Sequence, residues 1–151
     1  MLFLILTVIV FNLVAIFIPK RMSSIEILTT CLFATHLQLI ADVYLSVKYD
    51  LYGYFQKGAD WKALIFIYGV YPAINAVFLN YFPYKKNWIQ KTCYISAWSV
   101  FAVIYEVFFL WSGTFYYNTW KLWYSAACYP ILYMSLSTFH KYVLHLSKRY
   151  R

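Results

Sequence analysis

Two carboxylates draw attention by their position. Asp42 and Glu106 each interrupt a long apolar stretch, and an ionisable group in hydrocarbon is costly enough to be a functional candidate by default. With helical residues about 100° apart, the face of Asp42 also carries Cys31, Thr35, Gln38, Ser46 and Tyr49. That is a polar stripe expected to turn towards protein rather than lipid. The face of Glu106 carries Thr92, Ser99, Ala102 and Gly113, mostly small residues that let a neighbouring helix come close. Both acids are expected at similar depth, in the outer parts of helices running in the same direction. Donors are plentiful at that level: Tyr52, Tyr54, Tyr116, Tyr117, Asn118, Trp120, Trp123 and Tyr124 in the outer loops, Tyr68, Tyr71 and Asn75 on one helix face, and Ser125, Tyr129 and Tyr133 on another. The sequence thus predicts a polar cluster of Asp42, Glu106, Gln38, Tyr71, Asn75, Tyr117, Asn118, Trp120 and Tyr129. The two acids would flank a cavity open to the outer leaflet and rimmed by aromatics. Adjacent carboxylates can share a proton, and such a pair could bind a cation, move protons, or act as acid and base on a lipid headgroup. The plainer reading is that each carboxylate hydrogen-bonds Tyr, Trp or Lys partners and fixes helix packing.

Other chemistries lack their residues. There is no Gly-rich phosphate loop, GxSxG elbow or HExxH, and the chain holds only 4 glycines. His140 and His145 are not at the i, i+4 spacing of helical metal ligands. His36 lies off the Asp42 stripe and reads as a packing histidine. Cys31, Cys93 and Cys128 form an odd set without CxxC spacing, expected as small buried hydrophobes. Asp50 and Asp60, beside Lys48, Lys57 and Lys62, read as solvated loop charges. No metal or cofactor is called for.

The elements that must position these residues follow from composition. Of 151 residues, 64% are hydrophobic and 12% charged, against about 25% charged in soluble domains. That excludes a water-soluble enzyme. Roughly 20 apolar residues cross a bilayer once, so one all-α domain of five transmembrane helices is expected, roughly 1–19, 24–47, 61–82, 92–111 and 121–145. Ser23 and Glu26 form a capping-box pattern that opens the second helix. Lys and Arg gather in the first and third linkers and at the C-terminus: Lys20, Arg21, Lys85, Lys86, Lys91, Lys141, Lys148, Arg149 and Arg151. The other side has Lys48, Lys57, Lys62 and Lys121. This asymmetry places the N-terminus outside and the C-terminus in the cytoplasm. There the basic tail meets anionic lipid headgroups, and nucleic acid is not an expected partner. So small a bundle suits self-association or a larger membrane-protein partner. Thr30-Cys31 and Thr92-Cys93, Asp42 and Glu106, Trp61-Lys62 and Trp120-Lys121, and Tyr71-Pro72 and Tyr129-Pro130 recur in one order. They suggest a parallel repeat of two helical hairpins after the first helix, although aligning them needs gaps.

The segments LQLIADVYLSVKYDLYGYFQKGADW, IYGVYPAINAVFLNYFP and WSVFAVIYEVFFLWSGTFYYNTWKLWYSAACYP resemble an uncharacterised family of small polytopic membrane proteins from spore-forming bacteria. The resemblance implies a bacterial cell membrane or spore membrane. It draws attention to Asp42, Glu106, Gly113, Tyr117 and Trp120 and supplies no catalytic residue. Three functions remain open: a non-enzymatic protein binding a small ligand, lipid or membrane partner through an outer aromatic face, a proton- or cation-coupled transporter, and an intramembrane lipid-modifying enzyme. The last two use Asp42 and Glu106.

Overall fold

The computed structural model describes residues 2–56 and 61–149; the loop charges Lys57 and Asp60 and the terminal Arg151 lie outside them. Among the described residues the chain is helical apart from one short ribbon. Helix α1 spans Leu2–Phe17, and α2 spans Ser24–Ala41 and widens into a π-helix over Asp42–Lys48. Strand β1 (Tyr52–Tyr54) comes next, then α3 (Trp61–Gly69) and α4 (Tyr71–Asn80). Helix α5 (Trp88–Trp111), strand β2 (Phe115–Tyr117) and α6 (Leu122–Arg149) complete the chain. Three segments are long and apolar enough to cross a membrane: Ser24–Lys48, Trp61–Asn80 and Trp88–Trp111. Helix α1 is apolar but has 16 residues, fewer than the roughly 20 of a straight crossing. Helix α6 has 28 residues, with Ser, Thr, His and Lys spread along it.

Local chemistry explains the boundaries. The Ser23–Glu26 capping box forms as expected, with Ser23 N–H donating to Glu26 Oε2 at 3.0 Å and Glu26 N–H to Ser23 Oγ at 3.4 Å. Helix α5 begins four residues before its expected start at 92, because the Asn87 side chain accepts from Gln90 N–H at 3.0 Å and caps the helix there. Its far end closes on Gly113 at φ 68°. Gly113 N–H donates to Leu110 O and Thr114 N–H to Phe109 O, both at 3.1 Å, which is the Schellman pattern.

The expected helix 61–82 is broken. Pro72 has no N–H to donate and its ring crowds the preceding turn, so the chain pauses between α3 and α4. The Gly69 carbonyl beside the break accepts from Asn12 Nδ2 of α1 at 2.7 Å. A freed backbone group in an apolar span needs such a partner. At the end of α4, the Asn80 side chain accepts from Arg21 N–H at 2.7 Å and donates to Pro19 O at 3.0 Å, clamping the α1–α2 connection.

The two strands were not foreseen. Strand β1 pairs antiparallel with β2, with Tyr52 opposite Tyr117, Gly53 opposite Tyr116 and Tyr54 opposite Phe115. Any side chain at position 53 would collide with the Tyr116 ring. The Leu51 carbonyl also accepts from the N–H groups of Asn118, Thr119 and Trp120 at 2.9–3.2 Å. The ribbon therefore ties the segment after α2 to the segment after α5. The order helix, strand, descending helix thus occurs twice after α1.

Buried apolar residues gather at two levels. Leu4, Tyr52, Tyr54, Phe66, Val70 and Phe109 pack at the ribbon end. Met22, Ala34, Phe78, Leu79, Tyr133 and Leu136 pack towards the other end. Helices gain little from leaving lipid for one another, so ring packing matters. Fully buried Phe78 meets the rings of Tyr133 at 4.5 Å and Tyr94 at 5.4 Å, pairs worth about 1 kcal/mol each.

Candidate functional site

Each acid collects its own donors. Asp42 Oδ1 accepts from Tyr52 Oη at 2.7 Å and from Gln38 Nε2 at 3.1 Å, and Tyr54 Oη lies 3.2 Å from both carboxylate oxygens. Gln38 stands one helical turn before Asp42, and β1 folds back so that Tyr52 and Tyr54, two residues apart, reach the same group. Glu106 Oε1 accepts from Tyr117 Oη at 2.6 Å and Ser125 Oγ at 2.7 Å, while Oε2 accepts from Tyr129 Oη at 2.8 Å. Trp120 Nε1 donates to Ser125 Oγ at 2.8 Å, which aligns that hydroxyl for its own donation. Both acids are 7% exposed.

The ribbon joins these cages. Tyr52 and Tyr117 are direct cross-strand partners, yet the first serves Asp42 and the second Glu106. Burial, reinforced by the charge of Asp42, holds the Tyr52 hydroxyl well above the ordinary phenol range. Burial, then the hydrogen bond and charge of Glu106, raise Tyr117. Both phenols therefore stay protonated and serve as donors.

A cavity of about 140 Å³ lies between the two apolar levels, touched by residues of all six helices and both strands. Its polar lining is Gln38, Tyr54, Tyr71, Asn75, Tyr105, Glu106, Tyr129 and Tyr133. Asn75 is 9% exposed, and no side-chain hydrogen bond to it occurs among the described residues. Its side chain stands at the cavity wall. Asp42 is not part of the lining. The expectation of two acids flanking one cavity is therefore corrected: Glu106 faces it, and Asp42 is enclosed behind Tyr54 and Gln38.

The remaining expected residues separate. Asn118 is exposed and donates to Asp50 O at 3.0 Å and Asp50 Oδ1 at 2.8 Å, stitching the loops. The Asp42 stripe ends early, since Tyr49 is 58% exposed. In the π-helix Tyr49 N–H bonds Tyr44 O five residues back, and the wider turn shifts the phase of every later residue. His36 is exposed, not packed. Cys93 is exposed too, while Cys31 and Cys128 are half-buried.

A second polar group went unforeseen. His140 is 2% exposed, with Nδ1 2.6 Å from Tyr84 Oη and Nε2 3.9 Å from Glu26 Oε2. Its members stand on α2, the α4–α5 linker and α6, so no local spacing marks them. The chain matches no protein-family model, no curated protein and no solved structure.

Proposed function

We propose that this protein is a non-enzymatic integral membrane protein that holds a small ligand in its central cavity, beneath the aromatic ribbon. In this reading all five helical passes cross a bacterial cell membrane, with the N-terminus outside and the C-terminus inside. The hairpins α2–α4 and α5–α6 then form a parallel repeat. The reading is carried by the cavity wall itself, where Glu106 and the Asn75 side chain stand together among rings. A bound ligand would complete the hydrogen bonds of both groups.

The test uses phenol, a ring with one hydroxyl, and purified protein in detergent. Phenol should raise the unfolding temperature, and Ala102→Phe, which fills the cavity from α5, should remove that rise. An equal rise in both proteins would sink the cavity reading. Orientation is checked on intact cells with a membrane-impermeant thiol reagent, in a background where native cysteines are replaced by serine. Ser112→Cys should label and Lys85→Cys should not.

A further inference from the structure

The lining also bears on the kind of ligand, an inference that rests on the cavity being a ligand site. Among the described residues Glu106 is the one carboxylate in the lining, and no Lys, Arg or His accompanies it. Three hydroxyls converge on that carboxylate, an arrangement suited to the acceptor-only ionised group. Oε1 takes two of these bonds. Oε2 takes only the one from Tyr129, so it keeps acceptor capacity for a further donor.

The rest of the wall favours the same sign of charge. Tyr71, Tyr105, Phe109 and Tyr129 contribute rings, and the negative face of an aromatic ring attracts a cation. An anion would meet Glu106 with no countercharge in the wall. A bare inorganic cation needs several converging oxygen ligands to replace its water, and the surface of this wall is mostly apolar. An alkylated ammonium holds its water weakly and asks for the combination present here. Size agrees, because a cavity of about 150 Å³ accepts a benzene ring.

We infer that the cavity selects a small organic ammonium ion. Its nitrogen would lie towards Glu106 Oε2 and its alkyl groups against the rings. The Asn75 amide would bond a hydroxyl or N–H carried at the other end.

The experiment titrates the full chain in detergent with choline, with 3,3-dimethylbutan-1-ol and with sodium chloride, read by calorimetry and tryptophan fluorescence. The alcohol has the shape of choline without its charge. Choline should bind about ten-fold tighter than the alcohol, and sodium should not compete. In Glu106→Gln the preference should vanish, whereas Glu106→Asp, which keeps the charge, should retain part of it. Should Glu106→Gln fail to fold, the ratio measured on the native chain decides alone. Equal binding of choline and alcohol, or competition by sodium, overturns the ammonium inference and leaves the cavity as a ligand site. Binding of neither organic probe, together with no effect of phenol, overturns both readings.

Discussion

Asp42 and Glu106 occupy matching places in the chain, each followed by a tyrosine-bearing strand, yet they are finished differently. Asp42 is enclosed: Gln38, Tyr52 and Tyr54 converge on it, and it does not line the cavity. Glu106 is held as firmly by Tyr117, Ser125 and Tyr129 but keeps one side on the cavity. A buried acid in an apolar helix is thus not evidence of function by itself. What distinguishes the two is whether the carboxylate reaches the cavity.

The largest effect should come from breaking the closed cage. Asp42→Ala leaves two phenols and an amide without their acceptor and should cost about 4 kcal/mol, measured by unfolding in detergent. The molecules that remain folded should bind ligand as before. Gly53→Ala acts on the ribbon that joins the cages by pushing on the far end of the Tyr116 ring, and overpacking that this ring can partly relieve should cost about 1 kcal/mol. If its unfolding temperature equals that of the native protein, the ribbon does not couple the halves.

Glu106→Gln should lose only about 1 kcal/mol of stability, because hydroxyl rotors can re-aim, while choline binding falls about ten-fold. Asn75→Leu, which removes a polar group from the cavity wall, should weaken ligand binding while changing stability by less than about 0.5 kcal/mol. Unchanged binding would remove Asn75 from the site.

Alkali should act on both cages together. Folding raises the affinity of Tyr52, Tyr54 and Tyr117 for their protons, so their contribution is complete below about pH 10 and is lost as pH rises beyond it. Tyr52→Phe should flatten that alkaline loss in a pH-dependent unfolding series.

The sequence made some of this arrangement readable. An acid inside an apolar run stands out against its neighbours, so Asp42 and Glu106 were visible, as were Gln38 one turn away and the tyrosines and Trp120 crowding the loops. The Ser23–Glu26 cap was readable because its two residues are three apart. The ribbon was not, since YGY and FYY are too short to declare a strand and become one only by meeting. Nor was the separation of Asp42 from the cavity, because it depends on the strand that brings Tyr54 over the carboxylate. Nor was the break at Pro72, where Asn12 of another helix satisfies the Gly69 carbonyl. The Glu26, Tyr84 and His140 group lay beyond any local pattern.

The sequence distances inside the cages carry a consequence for biosynthesis. The side chains that satisfy Asp42 lie 4, 10 and 12 residues away, and those that satisfy Glu106 lie 11, 19 and 23 residues away. Most of them follow their acid in the chain. Each carboxylate can therefore be neutralised by hydrogen bonds soon after its own helix leaves the ribosome, without waiting for the other half. The pairing of Tyr52 with Tyr117 spans both halves and must wait for the second. A chain stalled after its first hairpin would already hold Asp42 in a finished cage, with one unpaired strand edge waiting for the second.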